Sequence, residues 1–160
     1  MQPPPPVIRQ YTEADWPHIC RIHDAARLDE LRDSAGVDAF LTLEQTAEGE
    51  GLFDGVLWVA TVDGEVAGFA AYDDGELTWL YVDPARYRRG VGRALLRHAL
   101  AEAGEDRVET TVLDGNPAAL SLYLAEGFTV VETREGTLAG NEAFAATGHI
   151  MEWRAAESAR

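Results

Sequence analysis

The sequence predicts an α/β fold of the mixed α+β kind, with a sheet of about seven strands. An antiparallel meander should lead into a second half that alternates strand, helix, strand and helix. Two observations predict this: β-rich runs joined by Asp-Gly turns before residue 83, and helical apolar spacing after it. At 160 residues the chain has the length of one ordinary domain. We therefore treat residues 1–160 as a single domain with a flexible, proline-rich start at residues 1–6.

The first elements should be a short strand, Val7 to Gln10, followed by two helices. Thr12 and Asp15 have the spacing of a capping box at the start of the first helix. Its apolar positions recur at helical spacing: Trp16, Ile19, Ile22 and His23. A second helix is expected from Asp38 to Glu48, ended by the glycines at 49 and 51.

The meander is predicted from three β-rich runs, Leu57 to Val62, Glu65 to Tyr72 and Glu76 to Val82. Asp63-Gly64, between the first two, is a dipeptide typical of a two-residue hairpin turn, and Asp74-Gly75 makes the next turn. Strict alternation in the third run places Leu77, Trp79 and Tyr81 on one face of the sheet.

The second half begins with a helix from Gly90 to Glu102 and a strand from Arg107 to Leu113. A helix then starts at Asn116-Pro117 and stops at Gly127, with an apolar stripe of Ala119, Leu120, Tyr123 and Leu124. Two strands, roughly Phe128 to Arg134 and Gly148 to Arg154, close the chain. The strand, helix, strand order implies a right-handed crossover with parallel pairing.

Composition excludes several classes of function. A formal net charge of −15 disfavours nucleic acid as a partner, because phosphate binding needs a basic face. No apolar run is long enough to span a membrane, and the start does not resemble a signal peptide, so we expect a cytoplasmic protein. Cys20 is the only cysteine, and it reads as a small buried residue on the first helix. No constellation predicts a bound metal.

One segment concentrates positive charge and predicts an anion site. Five of the 13 arginines fall within 12 residues that contain no acid: Arg86, Arg88, Arg89, Arg93 and Arg97. Gly90 and Gly92 lie where this loop enters a helix, whose first amides lack partners and could converge on a pyrophosphate. A P-loop is excluded because the chain has no lysine, and Leu95 occupies the third glycine position of a dinucleotide fingerprint.

Two blocks, Glu76 to Leu96 and Asn116 to Phe128, resemble the signature segments of the GCN5-related N-acetyltransferases (GNAT) in order and spacing. The first matches the family's strand, glycine loop and helix, and the second its Asn, Ala, Tyr and Gly-Phe helix. Tyr87 departs from the family, which usually has Gln or Arg there. The resemblance implies acetyl-coenzyme A (acetyl-CoA) as co-substrate, and a GNAT-like sheet whose fourth strand splays from the fifth.

The resemblance also implies particular contacts. Amides from Arg88 to Arg93, with Tyr87 and Val91 in the loop, would hold the pyrophosphate. Backbone groups of Leu80, Tyr81 and Val82 would line pantetheine, with the Leu80 N–H near the thioester oxygen, and Asn116 would bond the pantetheine arm. Glu76 stands where a general base often acts, and burial against the sheet is expected to raise its pKa. Tyr123 would give a proton to the leaving thiolate.

The acceptor amine is left open by the sequence. It should lie between the first two helices and the loop before the last strand, near Trp16, Arg27, Asp29, Glu30 and Phe40. The acidic balance favours a small cationic amine, and protein N-termini or lysines are the alternative acceptors. A non-catalytic acyl-CoA sensor and another nucleotide-binding α/β domain are the competing classes. The four histidines, His18, His23, His98 and His149, read as packing or surface residues.

Homodimerisation through the C-terminal strands is implied by the family resemblance. The residues themselves indicate only an exposed strand edge there.

Overall fold

A seven-stranded mixed sheet forms the centre of the structure, a computed structural model that describes residues 4–156. The spatial order of its strands is β1-β2-β3-β4-β5-β7-β6. The strands are β1 (Val7–Gln10), β2 (Val56–Val62), β3 (Glu65–Asp73), β4 (Glu76–Val82), β5 (Arg107–Leu113), β6 (Thr129–Leu138) and β7 (Asn141–Arg154). The predicted mixed sheet of seven strands is therefore confirmed. Part of the proline-rich start, residues 1–3, lies outside the described residues.

Four α-helices cover the two faces of the sheet within the described residues: α1 (Trp16–Arg32), α2 (Leu43–Thr46), α3 (Val91–Ala103) and α4 (Pro117–Ala125). The predicted capping box is present before α1, where the Thr12 N–H donates to Asp15 at 2.9 Å, although that first turn is a 3-10 helix. From residue 4 to residue 156, no helix has the length and apolarity needed to cross a bilayer. A cytoplasmic location stays a prediction.

The meander has the predicted order and turns. Asp63-Gly64 and Asp74-Gly75 both adopt positive φ angles, as the tight turns of β-hairpins require. β2 pairs with β3 and β3 with β4, all antiparallel. The expected limits of β1, β4 and β5 are those of the structure.

The faces of β4 differ from the prediction because the strand carries a β-bulge. Ala71 faces Trp79 and Tyr72 faces Leu77, so Thr78 is the extra residue. Leu77 therefore packs into the cluster under α3, whereas Trp79 and Tyr81 pack on the α1 side. Strict period-two alternation cannot predict such an insertion. The prediction that Leu77 shares a face with Trp79 and Tyr81 was wrong.

β4 and β5 are parallel, as the crossover predicts, but they separate almost at once. Their registered pair is Glu76 with Glu109. Two hydrogen bonds close this narrow end, from the Glu109 N–H to the Gly75 carbonyl and from the Thr110 hydroxyl to the Leu77 carbonyl, both 2.9 Å. Beyond them the strands diverge, and the sheet is open between Leu80 and the end of β5.

The second predicted helix, Asp38 to Glu48, is wrong in extent. Residues Val37–Ala39 form a 3-10 helix, and only Leu43–Thr46 is α-helical. The reason is a capping box at Thr42, whose hydroxyl accepts the Gln45 N–H at 3.2 Å while Gln45 bonds back to the Thr42 N–H. The chain then turns so that Ala47 and Leu52 are buried against α1.

The last two strands are longer than predicted. β6 continues to Leu138 and β7 begins at Asn141, where the sequence analysis expected a loop between residues 134 and 148. Tertiary contacts explain the difference, because Leu138 packs with Leu31 and Ala39 in a separate core cluster. β6 is an edge strand with Val130 and Val131 exposed, and homodimerisation through it stays a prediction.

Two main cores sandwich the sheet. One lies under α3 and α4 and includes Leu95, Leu96 and Phe128, and the other lies under α1 and α2 around Phe69. Leu124, placed on the apolar stripe of α4 by spacing, is instead 49% exposed. Cys20 is partly buried against the second core, and this desolvation raises its pKa to about 11. The thiol is therefore protonated at neutral pH.

Gly115 brings the start of α4 against the end of α1. Its φ is +97°, and a Cβ there would lie 2.0 Å from the Asp33 carbonyl oxygen. We expect Gly115→Ala to lower the free energy of unfolding by about 2 kcal/mol or more, from left-handed strain and overlap with a backbone atom. Urea unfolding measures this. Gly136→Ala is the matched control, because a Cβ there meets nothing within 4 Å; equal losses in both variants would contradict the argument.

Candidate functional site

A cleft of about 530 Å³ occupies the gap between β4 and β5. This volume lies in the range of small-molecule sites. Both splayed strands line it, together with α1, the start of α4 and the tip of the β6–β7 hairpin. Among the predicted site residues, the lining includes Glu76, Leu80, Tyr81, Asn116 and Tyr123. The structure thus brings the predicted catalytic pair and part of the predicted coenzyme site to one cavity.

The open strand edge supplies polar backbone groups to this cleft. The Asp83 N–H donates to the Ala67 carbonyl on β3 at 2.8 Å. Because successive residues of a strand direct their backbone groups to opposite sides, Leu80 and Val82 direct theirs away from β3, towards β5. β5 has already diverged there, so an extended ligand could pair with these groups as a strand would.

A loop with unpaired amides lies at the end of β4. Arg88 and Gly90 both have positive φ angles, and Gly90 caps α3. Within residues 4–156, the six N–H groups from residue 88 to residue 93 donate no hydrogen bond. Three of them, from Val91 to Arg93, form the first turn of α3, where the helix dipole favours an anion. The predicted geometry for an anion site is therefore present.

The five arginines of this region are not equivalent, which corrects the sequence-based view of one basic cluster. Arg86 pairs with Asp83 and Glu65, while Arg93 and Arg97 both pair with Glu126. Arg88 and Arg89 are exposed and form no ion pair with any described residue. They are the cations available to an incoming anion. Acids remote in sequence neutralise the others, and spacing alone could not identify them.

Tyr87 links the loop to α1. Its hydroxyl lies 3.4 Å from an Asp29 carboxylate oxygen, and desolvation, with Asp29 as a further cause, raises the pKa of Tyr87 to about 12. Its ring is nevertheless 45% exposed. The expectation that this residue changes the loop packing stays a prediction.

Glu76 lies at the narrow end of the cleft. Its side chain is exposed, not buried against Trp79 as expected, because it extends from the first residue of β4. The pKa of Glu76 is still raised, mainly by desolvation and further by the carboxylates of Glu109 and Asp73. A carboxylate whose pKa is raised in this way binds a proton more readily, which suits a general base.

Tyr123 is buried near the same end, 5% exposed and packed against Phe128. Thr110, whose hydroxyl donates to the Leu77 carbonyl, lines the same end of the cleft. Desolvation raises the pKa of Tyr123 well above its ordinary range, so the phenol is protonated at neutral pH. A protonated phenol therefore lies at this end of the cleft.

A polar cluster connects α1 to both walls of the cleft, and the sequence did not predict it. One Glu30 carboxylate oxygen accepts the Tyr81 hydroxyl at 3.0 Å and a very short bond from Arg27. The other lies 3.4 Å from the Asn116 side-chain nitrogen, while the Asn116 oxygen caps α4 by accepting the Ala119 N–H. Arg27 and Glu30 were noted in the sequence, but nothing in their spacing indicated Tyr81.

Of the residues expected near the acceptor, only two lie in the cleft, and the acceptor region stays a prediction. Arg27 and Glu30 line the cleft, but Trp16 packs on Phe53, Phe40 packs under the hairpin, and Asp29 pairs with Arg32 outside the cleft. Further lining residues from the α2 region and the hairpin were not indicated by the sequence: Leu41, Thr46, Glu50, Arg134 and Asn141. The missing signal is the long-range packing of the β6–β7 hairpin.

The four histidines lie at separate places in the structure. His23 is buried in the cleft wall, and desolvation lowers its pKa, so its imidazole is neutral. His98 packs edge-on against Trp58, and His149 bonds to Asp114 and Thr133. His18 is exposed on α1. Across residues 4–156, no three His, Cys, Asp or Glu side chains cluster as metal ligands.

The geometry defines a domain that can hold an extended ligand with an anionic end between two strands of its sheet. Residues 53–130 match the family model described as the acetyltransferase (GNAT) domain. The mycothiol acetyltransferase of Clavibacter michiganensis subsp. michiganensis is 39% identical over 132 residues. That match covers 79% of this chain but 38% of the relative, so the chain spans well under half of that protein's length.

Solved structures share the fold over nearly the whole chain. A ribosomal-protein-alanine N-acetyltransferase from Brucella melitensis has a TM-score of 0.71 at 25% identity, covering 93% of this chain and 99% of the other. The structure of yncA from Salmonella typhimurium, described as a putative acetyltransferase with its cofactor acetyl-CoA, has a TM-score of 0.68 at 25% identity, covering 97% and 96%. The chain belongs to the GNAT superfamily of acetyltransferases.

The Glu30 cluster generates a stability prediction. The side chains of Arg27 and Glu30 are each 17% exposed, so Glu30→Ala leaves a largely buried guanidinium without its carboxylate. We expect a loss of about 2–4 kcal/mol in the free energy of unfolding. Asp29→Ala is the control, because Asp29 pairs with Arg32 at the surface, where such a pair contributes about 1 kcal/mol or less. Equal losses in the free energy of unfolding for the two variants, measured by urea titration, would contradict this role for Glu30.

Proposed function

We propose that this chain is an acetyl-CoA-dependent N-acetyltransferase that moves an acetyl group directly to a small amine within a ternary complex. The observation that carries the proposal is the cleft along the open edge of β4, which contains Glu76, Leu80 and Tyr123. The unpaired amides at residues 88–93 follow the end of the same strand. Family membership supports acetyl-CoA as the donor.

The coenzyme would lie along this path with its pyrophosphate on the loop. The amides of residues 88–93 and the free guanidinium groups of Arg88 and Arg89 would bind the phosphates. The backbone groups of Leu80 and Val82 would pair with the amides of pantetheine, beside Tyr81. Asn116 would exchange its long bond to Glu30 for one to the same arm.

The reacting groups would meet where the two strands part. The amine nitrogen forms a bond to the thioester carbon, and the carbon–sulfur bond then breaks. The Leu80 N–H would donate a hydrogen bond to the oxygen on which negative charge develops. Tyr123 would donate its proton to the departing thiolate sulfur. Its raised pKa keeps the phenol protonated at neutral pH before the transfer.

Glu76 would take the proton that the amine loses. A free amine is largely protonated near neutral pH, and it attacks only through its neutral form. The exposed position of Glu76 at the narrow end of the cleft would allow it to reach the amine directly or through a water molecule. Its raised pKa makes proton transfer from the amine more favourable than to an ordinary carboxylate.

The direct test is release of free thiol from acetyl-CoA by the purified protein across a panel of small amines, amino acids and peptides, with calorimetric titration of coenzyme A alongside. Amine-dependent release that favours small amines supports the proposal. Release with peptides alone would replace the small amine by a protein acceptor. Coenzyme binding without turnover on any acceptor would favour an acyl-CoA sensor, and absence of binding would overturn the coenzyme site.

The arginine assignment predicts unequal effects of two substitutions. Arg89→Ala removes an unpaired guanidinium from the amide loop and should raise the Kd for coenzyme A about tenfold at low salt. Arg97→Ala should change the Kd by less than about twofold, because Arg97 is already paired with Glu126. Calorimetry measures both, and a larger effect from Arg97→Ala would contradict the assignment.

The raised pKa of Glu76 predicts a pH profile. Only the deprotonated carboxylate accepts a proton, so kcat/KM should fall as pH drops through a pKa above the ordinary glutamate value. The measurement uses a weakly basic acceptor amine, because such an amine stays neutral over this pH range and its own protonation does not alter the profile. Glu76→Gln should remove this limb and slow the reaction by about 10²–10⁴-fold. Tyr123→Phe is the comparison: it should lower kcat yet retain the acidic limb. An unchanged limb in Glu76→Gln would assign the base elsewhere.

A further inference from the structure

The acceptor side of the cleft is closed by the tip of the β6–β7 hairpin. The Asn141 side-chain nitrogen donates to the Ala39 carbonyl at 2.9 Å, and Leu138 is buried between Leu31 and Ala39. Gly140, the residue before Asn141, lies beside the carboxylate of Glu50 on the α2 loop. The α2 loop and the hairpin therefore form one wall of the cavity.

Five charged side chains line the cleft: two arginines and three glutamates. Both arginines have an ion-pair partner, whereas two of the glutamates have none among the described residues. Arg27 bonds to Glu30 and Tyr81, and Arg134 pairs with Glu132 at 2.5 Å. The two cations are therefore already neutralised within the protein. The remaining carboxylates, Glu50 and Glu76, form no ion pair with any residue from 4 to 156. The lining thus presents two uncompensated negative charges to a ligand.

Glu50 is the less expected of these two carboxylates. It is half-buried in the cleft wall, and no hydrogen bond from the described chain reaches its side chain. Gly140 makes room for it: a Cβ at residue 140 would lie 2.9 Å from a Glu50 oxygen, and φ there is +78°. A partly desolvated carboxylate without a partner is costly, and a cationic ligand group would offset that cost.

We propose that the acceptor amine carries a second cationic group, an ammonium or guanidinium, and that Glu50 binds this group while Glu76 serves the amine that reacts. The proposal rests on the proposed acetyl transfer and deepens it by naming the acceptor class. Diamines, polyamines and amines with a guanidinium belong to this class. An acceptor with a carboxylate in the second position is disfavoured, because that group would be repelled by the unpaired carboxylate of Glu50.

The net charge of −15 acts in the same direction. A strongly negative protein field attracts a dication more than a monocation and raises its local concentration at the cleft. This long-range effect weakens with salt, whereas a contact at Glu50 inside the cleft is screened less. The contribution of Glu50 should therefore persist at an ionic strength that removes the general preference.

Three five-carbon amines test the proposal with equal length and different ends: 1-aminopentane, 1,5-diaminopentane and 5-aminopentanoate. In wild type we expect kcat/KM to be highest for the diamine and lowest for the aminopentanoate, at high as well as low salt. Glu50→Gln should lower the ratio of the diamine to 1-aminopentane by about 10- to 100-fold, the range of one charge-assisted hydrogen bond. Glu48→Gln, an exposed carboxylate of the same loop outside the cleft, should leave the ratio unchanged.

A binding titration separates this proposal from the proposed transfer. 1,5-Diaminopentane is titrated calorimetrically into the protein with and without coenzyme A, for wild type, Glu50→Gln and Glu48→Gln. Diamine binding that weakens only in Glu50→Gln supports the site even where no thiol is released. A diamine that neither reacts nor binds better than 1-aminopentane overturns it, as does an equal loss for all three amines in Glu50→Gln. Failure of coenzyme A to bind overturns the transfer, not the Glu50 site.

Discussion

The separation of β4 from β5 is the constraint on which the rest of the structure depends. A sheet normally satisfies its backbone groups by pairing, and an unsatisfied buried group costs about 1–3 kcal/mol. Here the strands pair at Glu76 and Glu109, are bridged by the Thr110 hydroxyl, and then leave the edge at Leu80 and Val82 open. The open edge is tolerated because two independent cores, one on each face of the sheet, hold the strands in place.

The bulge at Thr78 sets which side chains meet at the opening. Without the extra residue, Leu77 would lie on the same face as Trp79 and Tyr81. With it, Leu77 packs beneath α3 while Tyr81 directs its hydroxyl to Glu30 on α1. The same insertion thus places Leu77 in the core under α3 and leaves Tyr81 free to join β4 to α1.

Local signals predicted the elements that depend on local physics. Asp-Gly turns, the glycine at the start of α3 and the Asn116-Pro117 helix start were enough for the limits of β4 and β5 and for the amide loop. The α2 region and the hairpin were missed because their form depends on remote partners, such as Leu31 with Leu138 and Ala39 with Asn141. For the same reason the sequence named Arg27 and Glu30 but could not indicate Glu50 or the pairing of Arg93 and Arg97 with Glu126.

The cluster around Glu30 has a mechanical consequence. Through Arg27, Tyr81 and Asn116 it joins α1 to β4 and to the start of α4. The hairpin tip, by contrast, meets the α2 region through the Asn141 bond to Ala39 and a small apolar contact. The two walls of the cleft are therefore fastened differently. The hairpin wall has no ion pair across it among the described residues, whereas the Glu30 carboxylate ties the opposite wall at three points.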